Sequence, residues 1–185
     1  MKAPTLEASW SGVAKFLHWL VALLVFTQFA LGWLASSWHM SPTKLDLFVW
    51  HKSNGMLILM LVVLRLMWRL VAPAPPLPAS MPTWERAAAH ASHALLYLVM
   101  LGMPLSGWVV NSASGVPFRI FRLVPLPAIV GPDEGVADIA SLVHFSLGLL
   151  LAALLLVHVA AALRHHFIQR DNVLRRMLPG RTLSR

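Results

Sequence analysis

Two histidines, His144 and His158, interrupt a long uncharged stretch near the C-terminal end of the chain. Imidazole is a common metal ligand, and it also transfers protons and hydrogen-bonds polar substrates. The two residues are 14 positions apart, so on an α-helix their side chains point within ~40° of each other and lie ~21 Å apart along the axis. This spacing predicts two separate sites for metal or proton chemistry on one face of one helix.

The stretch that carries the two histidines has the length and composition of a membrane-spanning helix. Between Asp138 and Arg164 lie 25 uncharged residues, mostly Leu, Ala and Val, which is enough to cross a ~30 Å hydrocarbon layer at ~1.5 Å per residue. An imidazole in such a segment is costly unless it is paired, hydrated or bound to a metal ion. We therefore expect a functional site at each histidine.

The composition of the whole chain agrees with a membrane location. Of its 185 residues 58% are hydrophobic, only 12% are charged and eight are tryptophan, which is too apolar for a soluble domain of this size. We expect one membrane domain over residues 1–185.

Charge and cysteine content exclude two other classes of function. The net charge is +8, but the basic residues flank apolar segments and do not form a patch with interleaved aromatic residues, so we expect no nucleic-acid binding. The chain has no cysteine. That excludes disulfides, thiolate-bound iron–sulfur clusters and covalent haem attachment, and leaves nitrogen atoms as the ligands for any metal or haem.

Four segments are predicted to span the membrane, at about residues 14–37, 47–70, 86–111 and 138–166. The second has only 12 uncharged residues at its centre, Ser53 to Leu64. It reaches full crossing length if Lys52 extends to one membrane surface and Arg65 and Arg69 extend to the other. The pattern predicts an all-α fold, an integral membrane four-helix bundle.

The distribution of Lys and Arg predicts the side of the membrane that holds the termini. With both termini on one side, that side carries Lys2, Lys15, Arg65, Arg69, Arg86, Arg164, Arg170, Arg175, Arg176, Arg181 and Arg185, and the opposite side carries Lys44, Lys52, Arg119 and Arg122. Cytoplasmic segments are enriched in Lys and Arg. We therefore expect both termini in the cytoplasm.

This orientation places four histidines at two common depths. His18, at the start of the first span, and His158, near the end of the fourth, both lie close to the cytoplasmic surface. His51 begins the second span and His144 lies near the start of the fourth, so both lie close to the outer surface. Two histidines at one depth supply the two axial nitrogen ligands of one haem iron, and a four-helix bundle provides the interior space. We predict one haem for each pair.

Two glycines favour haem over a bare metal ion. Gly55 and Gly148 each follow an outer histidine by four residues, one turn along the same face, where a missing side chain leaves room for a flat macrocycle. Ordinary helix packing is the alternative explanation. A zinc ion does not need this space, and it usually takes a third or fourth protein ligand, for which neither depth offers an obvious carboxylate.

Two more residues are candidates at the cytoplasmic depth. Arg65 lies 14 residues after His51 and on the same helix face, so we expect it to pair with a haem propionate; anchoring at the membrane surface is the alternative. His93 is a candidate for a hydrogen bond to a quinone or for replacing His18 as ligand. A structural polar contact between helices is the alternative for His93.

Several runs of the sequence, in their order and spacing, resemble bacterial cytochrome b561. They are Val13-Ala14-Lys15-Phe16-Leu17-His18-Trp19, His51-Lys52-Ser53-Asn54-Gly55, Leu64-Arg65-Leu66-Met67-Trp68-Arg69, His90-Ala91-Ser92-His93 with Tyr97, and Arg170-Asp171-Asn172 after His144 and His158. The resemblance covers nearly the whole chain. It implies a bacterial inner-membrane protein with two non-covalent b-type haems on the same two histidine pairs. It also implies superoxide oxidase activity, in which superoxide delivers an electron at the outer face and ubiquinone is reduced.

The leading hypothesis is therefore a di-haem oxidoreductase that moves electrons from superoxide to ubiquinone. Superoxide is an anion, so outer cations raise its local concentration; the candidates are Lys52, Arg119 and Arg122, with plain interfacial anchoring as the alternative. A second hypothesis is a cytochrome b subunit that passes electrons from a partner dehydrogenase or hydrogenase to quinone. A third is a histidine-lined proton or metal transporter, which predicts a colourless protein.

Overall fold

Four long helices make up most of the protein. The computed structural model describes residues 9–72, 74–78 and 81–180; three of the basic residues counted above, Lys2, Arg181 and Arg185, lie outside them. The helices are α1 (Gly12–Ser37), α2 (Pro42–Val71), α3 (Thr83–Ala113) and α4 (Glu134–Arg164). Each is long and apolar enough to cross a membrane, which confirms the predicted membrane four-helix bundle.

Capping residues determine where three of the helices begin. The caps are Ser11, Ser41 and Asp133, whose side-chain oxygens accept hydrogen bonds from the backbone amides of Ala14, Lys44 and Val136. Pro42 occupies the first helical position of α2, where its fixed φ is favourable and its missing N–H has no cost. As a result α2 and α4 begin four or five residues ahead of the spans predicted from residues 47 and 138.

The helices pack in chain order, α1 on α2, α2 on α3 and α3 on α4. Their common core consists of Leu17, Val21, Val25, Ile58, Leu61, Val62, Leu96, Val99 and Leu151. Among the described residues, α4 makes few close backbone approaches to α1 or α2. A layer without close backbone contact therefore separates α4 from these two helices, and the paired histidines lie in it.

Large apolar side chains also cover the outside of the bundle. Leu23, Phe26, Phe145 and Leu156 are each more than half exposed. In water such a surface would be an aggregation hazard, whereas in a bilayer it contacts lipid.

A short β-hairpin covers the outer end of the bundle. Strands β1 (Phe118–Ile120) and β2 (Val124–Leu126) pair antiparallel, within a connection that the sequence did not predict to contain strands. Phe121 and Arg122 form the turn, with φ of 48° and 62°. This is the left-handed region that bulky residues rarely adopt, so contacts with the bundle must hold the turn in place.

Two side chains of α2 hold the hairpin turn. The backbone amide of Phe121 donates to Ser53 Oγ at 2.7 Å, and Ser53 is completely buried. The Arg122 guanidinium forms an ion pair with Asp46. The buried Phe118 ring adds an apolar contact.

The N-terminal segment, the connection between α2 and α3, and the C-terminal segment meet at the opposite end. Lys15 Nζ donates to the Gly180 carbonyl at 2.9 Å, and Trp19 Nε1 donates to the Met177 carbonyl at 2.9 Å. The Arg176 guanidinium reaches the connection between α2 and α3. Eight of the eleven basic residues counted for the cytoplasmic side are in the described part of the chain, and they lie in the C-terminal segment or near the helix ends at this end of the bundle. We therefore infer that this end is cytoplasmic.

Candidate functional site

The two outer histidines meet inside the bundle. The imidazole rings of His51 on α2 and His144 on α4 have centroids 6.2 Å apart and planes at 81°. Both rings line a cavity of about 600 Å³, a volume typical of cofactor pockets. Gly55 and Gly148 line the same cavity. The structure thus brings together the four residues that the sequence assigned to the outer haem.

Hydrogen bonds to α3 fix the orientation of the His144 ring. Its Nδ1 atom lies 2.9 Å from Ser106 Oγ and 3.1 Å from the Met103 carbonyl oxygen. Because a carbonyl oxygen can only accept, we assign the ring hydrogen to Nδ1, which leaves Nε2 as the unprotonated nitrogen. Metal-ligating histidines usually make such a second hydrogen bond, since it fixes tautomer and ring orientation. His144 is therefore oriented to ligate through Nε2.

A polar network from α1 holds His51. Gln28 Nε2 donates to the His51 carbonyl oxygen at 2.9 Å and lies 3.4 Å from the ring Nε2. Asn54 Nδ2 in turn donates to Gln28 Oε1 at 2.8 Å. The His51 Nδ1 atom is buried without a hydrogen-bond partner. A buried polar atom left without a partner requires an explanation such as a bound ion or cofactor.

Two further glycines lie against the outer imidazoles. A Cβ atom at Gly32 on α1 would lie 2.9 Å from His51 Cε1, and a Cβ atom at Gly107 on α3 would lie 3.1 Å from His144 Cε1. Carbon atoms in ordinary contact are ~3.5–4.0 Å apart. The positions of both rings therefore depend on glycine in the neighbouring helix. None of the residues Gly32, Gly107, Gln28, Asn54 and Ser106 was assigned to this site from the sequence.

A sequence signal for the two glycines exists. The two histidines of α4 are 14 residues apart. The same spacing, counted from the histidine of another helix, gives a second residue on the same face at the other depth. The pairs are His18 and Gly32 in α1, His51 and Arg65 in α2, His93 and Gly107 in α3, and His144 and His158 in α4.

Three imidazoles gather at the inner depth. The ring centroids of His18 and His158 are 6.2 Å apart, the same separation as in the outer pair. His93 lies closer to His158, at 5.4 Å. The structure thus brings together the predicted inner pair and adds the neighbour that the sequence named as an alternative.

Arg65 lies beside these imidazoles. Its guanidinium is close enough to interact electrostatically with His18, His93 and His158. Arg65 Nε donates to Tyr97 Oη at 2.8 Å. A guanidinium carries five N–H donors. The bond to Tyr97 uses one of them and fixes the side chain, and the remaining N–H groups can donate to a carboxylate.

The three predicted outer cations have different surroundings. Lys52 lines the cavity, and its ammonium donates to Asn111 Oδ1 at 2.7 Å. Arg119 hydrogen-bonds the Leu123 carbonyl within the hairpin, and the exposed Arg122 pairs with Asp46. Of the three, Lys52 is the one on the cavity wall.

The donor sets fit haem. A ligating imidazole nitrogen lies about 2 Å from its metal, so two imidazoles on opposite sides of one ion have ring centroids about 6 Å apart. Both predicted pairs have this separation. Among the described residues no group of three or more His, Asp or Glu side chains could hold a metal ion. Haem iron needs only axial ligands from the protein, because the macrocycle supplies the others.

Comparison with known families agrees with this geometry. The sequence model of the prokaryotic cytochrome b561 family matches residues 9–180. The chain belongs to this family. It is accordingly a multi-pass protein of the bacterial inner membrane that takes part in electron transfer, and family membership implies haem b as its cofactor. The resemblance and the location predicted from the sequence are both confirmed.

Three curated relatives align with nearly all of this chain. Cytochrome b561 homolog 2 of Escherichia coli (strain K12) is 36% identical over 173 residues, which are 90% of this chain and 89% of the relative. Cytochrome b561 homolog 1 of the same strain is 29% identical over 90% of this chain and 94% of its own length. A protein of Yersinia pestis named probable superoxide oxidase CybB is 29% identical over 88% of this chain and 92% of its own.

Proposed function

We propose that this protein transfers electrons from superoxide, taken up at the outer face, to ubiquinone. In this proposal His51 with His144 would hold one haem b and His18 with His158 a second, and the two haems would supply one-electron transfer between the substrates. The observation that supports it is that two histidine pairs, one near each end of the bundle, have the same distance of 6.2 Å between their ring centroids. The name of the Yersinia pestis relative suggests the same electron donor.

The proposed reaction balances with two superoxide ions for each quinone. Each superoxide gives up one electron and leaves as dioxygen. Ubiquinone takes these two electrons, together with two protons from water, and becomes ubiquinol. No further oxidant or reductant is needed.

At the outer end, this chain would bind and orient the anion. The Lys52 ammonium on the cavity wall attracts superoxide, while the exposed Arg119 and Arg122 add to the positive field of the surface. The lining of the cavity is mostly apolar, and a low local dielectric strengthens the attraction between the anion and Lys52.

At the inner end, we assign Arg65 to a haem propionate. Its hydrogen bond to Tyr97 fixes the guanidinium, and carboxylates are the partners that a guanidinium binds best. His93 is the inner imidazole outside the proposed ligand pair, so we propose it as the hydrogen-bond partner of a quinone carbonyl. Gly55 and Gly148 would leave room for the outer macrocycle.

Purified protein with about two haems per chain is expected to be reduced by superoxide and reoxidised by ubiquinone. The test delivers superoxide to the oxidised protein in detergent and follows the b-type α band, with superoxide dismutase as the control that should abolish reduction. A soluble ubiquinone analogue added next should restore the oxidised spectrum.

Two results would overturn this proposal. A haem that dithionite reduces but superoxide does not would favour the alternative, a cytochrome b subunit fed by a partner dehydrogenase or hydrogenase, and co-purification of such a partner would identify it. A folded but colourless protein would exclude both electron-transfer functions and favour the transporter hypothesis.

A further inference from the structure

The Lys52 ammonium has an unusual environment on the wall of the outer cavity. Its hydrogen bond to Asn111 Oδ1 is 2.7 Å long. The Nζ atom also lies 5.7 Å from the centroid of the Phe118 ring and 6.0 Å from that of Phe48. All four residues line the cavity that holds the His51 and His144 rings.

No carboxylate compensates this charge among residues 9–72, 74–78 and 81–180. The ion pairs in this part of the chain join Arg122 to Asp46, Arg164 to Glu85, and His165 to Asp171. The polar partner of Lys52 is a neutral amide, and the nearby aromatic faces attract a cation without cancelling its charge. The Lys52 ammonium therefore has no negatively charged partner among these residues.

Asn111 is itself held so that its oxygen faces Lys52. The side chain is buried, and its Nδ2 atom donates to the Val116 carbonyl at 3.0 Å. The reversed amide would place N–H groups against the ammonium and a carbonyl against a carbonyl, which is unfavourable for both contacts. The amide thus orients the ammonium, whereas an aspartate of the same shape would also neutralise it.

We propose that Asn111 is a positioning residue that keeps the Lys52 ammonium on the cavity wall with its charge uncompensated, where it acts on a small anion and on the outer haem site. The anion is superoxide from solution or a carboxylate of the bound haem; for superoxide the inference rests on the proposed function. A positive charge beside a haem favours its reduced form, because the oxidised iron carries one more positive charge. The same charge raises the encounter rate of an anionic donor.

The test compares the Asn111→Asp and Lys52→Met variants, with Thr43→Asp as the control. Thr43 is exposed in the first turn of α2, where an added carboxylate is tolerated, and it is not among the cavity-lining residues. Haem content is measured first. Redox titration then gives the midpoint potentials, and stopped-flow measurement gives the rate constant for reduction by superoxide at low and high ionic strength.

In both test variants we expect a lower midpoint potential for one haem and an unchanged potential for the other. The superoxide rate constant should fall about tenfold at low ionic strength, with a weaker dependence on salt, and Thr43→Asp should behave as the parent protein. A lower midpoint potential with an unchanged rate constant for superoxide would identify the haem carboxylate as the anion. A decrease in both the potential and the rate constant would identify superoxide.

Unchanged potentials in both variants would overturn the inference, and so would an equal shift in Thr43→Asp. If Asn111→Asp does not retain haem, the inference is tested with Lys52→Met and Asn111→Ala. Asn111→Ala removes the hydrogen bond to the ammonium but keeps the positive charge. The midpoint potential of the affected haem in Asn111→Ala should therefore lie between the values in Lys52→Met and in the parent protein. The titrations require no superoxide, so their failure is separate from failure of the proposed reaction.

Discussion

The His144→Ala variant is expected to purify with about one haem per chain, in place of two. The His144 ring lies 6.2 Å from that of His51, and its Nδ1 is held by Ser106 and Met103. Alanine removes the imidazole nitrogen that we propose as an axial ligand, together with the side chain that lies between α4 and α2. Haem content is measured by the pyridine haemochrome assay, and a redox titration shows which of the two potentials disappears.

The His158→Ala variant should lose the other haem. The two variants are expected to retain different midpoint potentials, one from each depth. His39→Ala provides a matched control, because His39 is exposed and lies in the connection between α1 and α2; this variant should keep both haems. Parent-like spectra and haem content in His144→Ala and His158→Ala would contradict the proposed ligand pairs.

Two more variants decide between the neighbours of His158. If His18 is the ligand, His18→Ala loses the inner haem and His93→Ala keeps it, with a change confined to the reaction with quinone. The opposite pattern would make His93 the ligand. Its ring is nearer to His158 than that of His18, by 5.4 Å against 6.2 Å, but the longer separation equals that of the outer pair and matches two imidazoles on opposite sides of one iron.

The helices and the grouping of the histidines could be predicted because both depend on local regularities of the chain. Three of the four spans contain uncharged runs of more than 20 residues, which have few outcomes other than a membrane span. Helical periodicity then gives the depth and face of each histidine, so the meeting of His51 with His144 and of His18 with His158 followed from the sequence. The assignment of these pairs as haem ligands stays a prediction.

Contacts that depend on the rotation of one helix against another could not be predicted in the same way. The 14-residue spacing gives the depth of Gly32. Its contact with His51, like that of Asn111 with Lys52, also depends on the relative rotation of two helices, which a hydropathy pattern does not contain. The hairpin was missed for a different reason. Hairpin turns with two left-handed residues normally carry Gly, Asn or Asp, whereas here the positions are Phe121 and Arg122.

Replacing Gly32 by alanine should displace the His51 ring and disturb the outer haem alone. The new Cβ atom would lie 2.9 Å from His51 Cε1. Carbon atoms need ~3.5 Å, so the ring must retreat by roughly 0.6 Å. Alanine is the better helix former by ~1 kcal/mol, so α1 itself should not be weakened. The expected result is loss of the outer haem, or a shift of its potential and α band, with the inner haem unchanged.

A graded series of glycine variants gives this prediction its controls. Gly107→Ala places a Cβ atom 3.1 Å from His144 Cε1, and Gly102→Ala, on the same helix, places one 3.5 Å from Leu147 Cδ1. The change in the spectrum and potential of the outer haem should therefore be larger in Gly32→Ala than in Gly107→Ala, and absent in Gly102→Ala. The Gly102→Ala variant serves as the control because it raises helix propensity without a steric clash. An unperturbed outer haem in Gly32→Ala would mean that the His51 ring is not held where ligation requires it. An equal loss of both haems across the series would mean that the glycines serve general helix packing, with no particular relation to the imidazoles.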